Sequence, residues 1–140
     1  MKYHFLVHKE ENGFWAECIE LSGCLTQAET AEELKSACFE ALNLYLEEPQ
    51  SSHIVFPLPQ DITTCSKKIL EIPVEPEIAL AVLLRHNRSI LNLTQKQASE
   101  KLGMKNVYSY QRLEKKSNPS LQMIKKITSI FPAIKLEMLF

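Results

Sequence analysis

The side chains of this chain that could do chemistry are few, and their spacing sorts them. Four are thiols: Cys18, Cys24, Cys38 and Cys65. None forms a CxxC unit, and no histidine pair stands nearby at zinc-finger spacing, so neither a structural zinc site nor a dithiol redox motif is indicated. With no leader-like start they read as reduced thiols, and Cys24 fits packing beside Gly23 better than a nucleophile's role. His4 and His8 share one face of an expected strand and His53 falls in a loop. No carboxylate joins them at a spacing that suggests a metal site. Metal-assisted cleavage of phosphodiesters needs clustered carboxylates, usually aspartates. This chain has one aspartate, Asp61, in an expected loop, and its glutamates lie mainly on a helix. The pattern therefore argues against an enzyme, and it implies no cofactor and no metal. A different chemistry, attraction of a polyanion, is suggested by basic residues gathered in the second half, among them Lys105, Arg112, Lys115 and Lys116.

Charge supports that division. Residues 1–76 carry 5 lysines and arginines against 13 acidic residues, a net of −8, whereas residues 77–140 carry 11 against 4, a net of +7. The overall net charge of −1 conceals this separation. Two halves of opposite sign suit two small domains with unlike partners, and 140 residues are enough for both. The basic half attracts a polyanion; the acidic half attracts a basic protein and repels nucleic acid. No run of about 18 apolar residues is present, and the first 25 residues lack a basic start, an apolar run and a cleavage site. The expected location is the cytoplasm.

The elements that must position these residues follow from period and punctuation. Tyr3, Phe5 and Val7 alternate within 3–9 and predict a strand. Asn12-Gly13 predicts a hairpin turn, 14–20 a second strand, and 24–28 a short third. Thr30, with Glu33 three residues on, starts a helix with a capping box. Its stripe is Leu34, Ala37, Cys38, Ala41, Leu42 and Tyr45, and Pro49 ends it. Residues 49–66 read as an irregular connection. Residues 68–74 read as a fourth strand, placed at an edge by Pro73. From Glu77 the period turns helical. A helix with Ile78, Leu80, Ala81, Leu84 and Ile90/Leu91 on its stripe precedes one capped by Thr94 with Gln97. A third is capped by Asn106, and a fourth carries Leu121, Ile124, Ile127 and Phe131. Pro132 stops it. In the tail, 133–140, Ile134, Leu136, Met138 and Phe140 alternate like a strand, which would seek the same strand of a second chain. The fold class is α+β: a three- or four-stranded antiparallel sheet with one packed helix (1–76), then an all-α domain (77–140).

Within the basic domain, LTQKQASEKLG, SYQRLE and NPSL resemble the lambda-repressor-like (XRE-type) helix-turn-helix family over roughly residues 78–131. The shared features are a capped helix, a small Ala98 where helices cross, the turn Gly103 and the Arg-Leu-Glu segment. One departure concerns loop lengths. The stretch from Gly103 to Leu113 is one residue longer than the common pattern, and the next loop is one shorter, which leaves the contact register open. The resemblance implies that the helix over 107–115 enters the major groove of double-stranded operator DNA. Val107, Tyr108, Ser109, Gln111 and Arg112 then face the bases, Gln95 meets a phosphate at its helix start, and Lys105, Lys115 and Lys116 add phosphate contacts. It also implies a structural ion pair, Arg88 with Glu114, although either could be plain surface charge.

The first 48 residues resemble HicB antitoxins. The motif residues are Gly13, Phe14, Trp15, Ala16, Leu21, Gly23, Cys24, Thr26, Gln27, Thr30 and Tyr45. The resemblance implies a partial RNase H-like fold. It also implies a partner, a small basic RNase toxin of HicA type, neutralised by the acidic domain. Phe14 and Trp15, with Glu17 and Glu20 beside them, are the candidate toxin contacts, though tryptophan in a small sheet is more often core. The combined expectation is a type II antitoxin that also represses its own operon, as a homodimer or higher oligomer. The alternatives are a stand-alone helix-turn-helix regulator with an acidic sensing domain, and, less in keeping with the residues, an RNase H-like nuclease.

Overall fold

A computed structural model describes residues 1–47, 54–62 and 68–140. Pro49, His53 and Cys65 lie outside these residues. The chain forms two compact units: Met1–Glu48 with Pro57–Val74, and Pro49–Phe56 with Glu75–Phe140.

In the first unit, the alternating residues near the start of the chain become β1 (Lys2–Glu10). It is followed by β2 (Gly13–Cys18), β3 (Leu25–Ala28), α1 (Ala31–Glu47) and β4 (Ile69–Pro73). The strands make one antiparallel sheet in the order β3-β2-β1-β4. β4 is therefore an edge strand, which accommodates Pro73 opposite Lys2. Tyr3 and Phe5 share a face with Ala16, Cys18 and Ile72, and all five are buried. Leu34, Cys38, Leu42 and Leu46 are the buried stripe of α1, which packs on this sheet. Thr30 caps the helix as expected, accepting from the Glu33 amide at 3.2 Å. Tyr45 lies beside the stripe rather than in it. Its hydroxyl donates to the Ser22 carbonyl at 2.8 Å, and Leu46 occupies the buried position. Asn43 is buried too, its amide nitrogen donating to the Phe39 and Pro73 carbonyls.

The hairpin differs from the Asn-Gly expectation by one position. Glu10 pairs with Gly13, so Glu11 and Asn12 form the loop and the positive φ, +149°, falls on Gly13 alone of the pair. A Cβ there would stand 2.6 Å from the Ala28 carbonyl oxygen. Glycine is needed for both reasons: the backbone angle and the close approach of β3. β2 also stops at Cys18, short of the expected residue 20, because Glu20 turns back to bond β1.

The second unit contains α2 (Pro76–Ile90), α3 (Gln95–Lys101), α4 (Val107–Leu113) and α5 (Leu121–Ile130). Each start follows the local chemistry. Pro76 takes the first helical position of α2, Thr94 and Gln97 form a full capping box on α3, and Asn106 and Ser120 cap α4 and α5. α2 buries every residue from Ile78 to Arg85, as a central helix does. Its expected last apolar pair, Ile90 and Leu91, is exposed instead, because Asn92 adopts φ +53° and turns the chain there. Of the expected stripe, Ile127 on α5 and Phe131 just past its end are fully buried and Ile124 half-buried, whereas Leu121 at the first turn is 84% exposed.

The tail corrects the strand expectation. Leu136–Leu139 form a turn of 3-10 helix, with the Met138 amide donating to Lys135 at 3.0 Å. Ile134 and Leu139 are buried while Leu136, Met138 and Phe140 are exposed. A helical turn satisfies backbone groups locally, where a solitary strand would leave them unpaired. The tail thus offers no strand edge to a second chain.

Two outcomes follow from this packing. Gly13→Ala should destabilise the first unit by at least about 2 kcal/mol, read by urea unfolding followed through the fluorescence of Trp15. An unchanged midpoint would contradict the close approach. The second outcome concerns alkaline pH. Burial, reinforced by Cys18 and Glu20, raises the pKa of Tyr3; burial and then Glu114 raise that of Tyr110. A tyrosine whose folded pKa is raised contributes stability that is complete below its ordinary value of about 10 and lost as pH climbs past it. The urea midpoint should accordingly fall between pH 9 and 11, and Tyr3→Phe should reduce that fall.

Candidate functional site

Two surfaces, one on each unit, gather the residues with chemistry. On the sheet, the face opposite α1 carries Leu6 and His8 from β1, Trp15 and Glu17 from β2, Leu25 and Gln27 from β3, and Ile69 and Glu71 from β4. Trp15 pairs across the ladder with His8, and their rings stack at 4.1 Å with a 17° tilt. His8 Nε2 also lies 3.3 Å from a Glu17 carboxylate oxygen. Trp15 is only half-buried and Leu25 is exposed. The face therefore presents apolar area bordered by carboxylates, a composition suited to a protein partner that carries positive charge.

Of the four residues expected there, the structure brings two together. Trp15 and Glu17 share this face. Phe14, one residue away, points to the α1 side because side chains alternate along a strand. Glu20 is removed from any outer surface: its side chain is fully buried. One oxygen accepts from the His4 amide at 2.9 Å and the other lies 2.7 Å from His4 Nδ1 and 3.2 Å from the Gln60 amide. This carboxylate ties the end of β2 and the 57–62 segment to β1. Sequence alternation could have shown the Phe14 result; the burial of Glu20 depends on contacts distant in sequence.

Among the described residues, no group of three or more histidines, cysteines or carboxylates is placed to hold a metal ion. Cys18, Cys24 and Cys38 are free and buried. Hydrogen bonding with Cys18, then burial, pushes the Cys24 thiol up, and burial pushes that of Cys38 up to about 11. Cys24 and Cys38 so held stay protonated near neutrality, whereas the bond with Cys24 lowers the pKa of Cys18.

In the helical unit, α3 and α4 pack against each other across a short turn in which Gly103 takes φ +68°. Ala98 is buried on α3, and Tyr110 and Leu113 are buried on α4. That leaves Tyr108 (68% exposed), Arg112 and Lys115 on the outward face of α4 and just beyond it, with Gln111 half-buried among them. Lys105 is exposed in the preceding turn, while Val107 and Ser109 are half-buried. The Ser109 hydroxyl is bonded to Asn106 Oδ1 at 3.2 Å, which occupies part of its capacity. Lys116, expected beside Lys115 as a phosphate contact, forms an ion pair with Glu75 at 2.7 Å.

Glu114 is the centre of the arrangement. It is 1% exposed. Arg88 from α2 grips its carboxylate through Nε and, at 3.2 Å, Nη2. Burial opposes charge on Arg88, but the bond and charge of Glu114 outweigh it and raise its pKa. Gln95, expected to reach outward to a phosphate, turns inward instead. Its Nε2 donates to Glu114 Oε2 at 2.8 Å, and its Oε1 accepts from Gln111 Nε2 at 3.1 Å. Arg85 was not anticipated. It is buried, its pKa is lowered by burial against the pull of Glu114, and its Nε donates to the Glu114 carbonyl at 2.9 Å. Its signal was its position three residues before Arg88, on the same helix face.

No family model matches the chain. Over 48 residues, which make up 34% of this chain and 70% of the relative, the sequence is 40% identical to the UPF0150 protein of Archaeoglobus fulgidus. On that shared stretch, the chain belongs to the UPF0150 protein family.

Proposed function

We propose that this protein is a two-headed binding protein of the antitoxin type. The sheet unit, read as a partial RNase H-like fold, caps a small basic RNase of HicA type. The helical unit, read as a lambda-repressor-like helix-turn-helix domain, binds operator DNA and represses the operon that encodes the pair. Two copies together read the two half-sites of such an operator.

The observation that carries this reading is the division of charge between two compact units. The sheet unit bears 5 basic against 12 acidic residues, and the helical unit 11 against 5. An enzyme that grips RNA phosphates is positively charged where it does so. A negative surface is drawn to it from a distance, and the attraction raises the encounter rate. Durable affinity needs an apolar anchor, and Trp15 beside Leu25 supplies one. On the helical unit, α3 contributes the braced support and α4 the outward Tyr108, Gln111 and Arg112. Those are side chains suited to thymine methyl groups, adenine and guanine. Lys105 and Lys115 are placed for phosphates.

The decisive experiment is co-expression with the product of the neighbouring open reading frame, expected to be a small basic protein. A stable assembly, relief of growth arrest and a shift of upstream duplex DNA are the expected results. Failure of assembly and relief together would sink the capping half. Trp15→Ala should weaken the complex by roughly 30-fold and Glu17→Lys should mainly slow association, both with unchanged thermal stability. On DNA, Arg112→Ala should reduce preference for the upstream sequence over a scrambled duplex. Lys115→Ala should weaken both equally and reduce the salt slope by about one. Equal losses on both duplexes for Arg112→Ala would refute its base-reading role.

A further inference from the structure

We infer that Cys18 and Cys24 are a disulfide-forming pair, a modification site at which a hydroperoxide oxidises the sheet unit and fixes the turn between β2 and β3. Register brings the two residues together. The strands pair Glu17 with Leu25, and the next rung sets Cys18 opposite Cys24, whose carbonyl accepts from the Cys18 amide at 2.8 Å. Opposed residues of an antiparallel ladder stand about 4.5–5.5 Å apart at Cα, and a disulfide spans roughly 4.4–6.8 Å there. Both side chains are buried, and a hydrogen bond joins the two thiols. Cys24 Sγ also lies 3.9 Å from the Ala41 carbonyl of α1, so both sulfurs sit on the helix side of the sheet. Sulfurs already in contact across a rung need little backbone movement to join. Cys38 is buried on α1 and shares no rung with either.

The two thiols are unequal in a way that suits two successive steps. The bond with Cys24 lowers the pKa of Cys18, while that of Cys24 is raised. Cys18 keeps 6% exposure, and its thiol lies 3.8 Å from Glu20 Oε1, a carboxylate that can take its proton. In the first step the Cys18 sulfur attacks the terminal oxygen of the peroxide. The S–O bond forms, the O–O bond breaks, and the Cys18 proton leaves with the departing oxygen as water or an alcohol. In the second, the Cys24 sulfur attacks Cys18. The S–S bond forms, the S–O bond breaks, and hydroxide leaves with the Cys24 proton as water. The thiols lose two electrons and the peroxide gains them. The product closes a ring over residues 19–23, the turn that carries Glu20 to its bonds with His4 and Gln60. A covalent closure holds that turn even where those bonds open. The pair lies on the opposite face from Trp15 and Glu17, so it depends on neither proposed binding role.

The test treats the full-length protein with hydrogen peroxide, unfolds it in excess alkylating agent and maps its tryptic peptides without reduction. Cys18 and Cys24 fall on one such peptide, residues 10–35, and Cys38 falls on the next. The expected product is the 10–35 peptide two hydrogens lighter and closed to alkylation, formed equally well in Cys38→Ala and reopened by dithiothreitol. Cys24→Ala should instead hold a sulfenic acid on Cys18 that dimedone traps, and Cys18→Ala should leave Cys24 a free thiol. The oxidised protein should unfold at a higher urea midpoint, which returns to its starting value on reduction. A 10–35 peptide joined to any other peptide, or full alkylation of both thiols after peroxide, overturns the pair. An internal link with an unchanged or lowered midpoint overturns the fixing of the turn. If an alanine variant fails to fold, the wild-type map alone still decides.

Discussion

A buried carboxylate is the constraint on which the helical unit depends. Taking the Glu114 charge out of water costs several kcal/mol unless partners replace the lost hydration. The partners come from two other helices: Arg88 from α2 and Gln95 from α3, with Arg85 holding the Glu114 backbone. Because the cost is met only when all of them are in place, the carboxylate fixes how the three helices sit together more sharply than apolar packing does. Leucine and alanine contacts tolerate small slides. A two-bond grip between a guanidinium and a carboxylate does not.

The sheet unit uses the same device at a different place. Glu20 is enclosed and bonded to His4 and Gln60, and so joins a strand end, a neighbouring strand and a loop distant in sequence. In each unit one acidic residue is spent on internal order, and the solvent-facing charges are left for other work. That distinction matters for the charge balance. Glu114 counts in the sequence total but contributes little to the field a partner meets, because its charge is paired with that of Arg88.

Most of the elements were legible because local chemistry dictates them. Thr94, Asn106, Ser120 and Pro76 mark helix starts through bonds that span three or four residues, and alternation in β1 needs no distant partner. The tail was misread because Ile134, Leu136, Met138 and Phe140 alternate by chance, while the backbone closes a 3-10 turn in which Ile134 and Leu139 are the buried pair. The placement of the candidate residues was legible in part, and their wiring less so. Tyr108 and Arg112 stand outward as their spacing suggests, while Trp15, read as more often core, is half-buried on the face opposite α1. The resemblances place Glu20 and Gln95 on outer surfaces, and both are turned inward instead. Their partners, His4 and Glu114, lie 16 and 19 residues away in sequence, and no periodicity encodes such a pair.

This arrangement separates attraction from discrimination. The opposite charges of the two units act over about 8 to 10 Å at ordinary ionic strength, and they favour any basic protein or any duplex without distinguishing among them. On the proposed reading, discrimination requires groups that work only at contact, and the neutral candidates are the indole of Trp15 and the amide of Gln111. A neutral group gains little from mere proximity, so its contribution depends on being held in one orientation beforehand. Trp15 is held by its stack on His8. Gln111 is held by a chain of bonds that begins at Glu114. The buried Glu114 thus orients the neutral Gln95 and Gln111 amides, and on the proposed reading the exposed charges govern how often such side chains meet a partner.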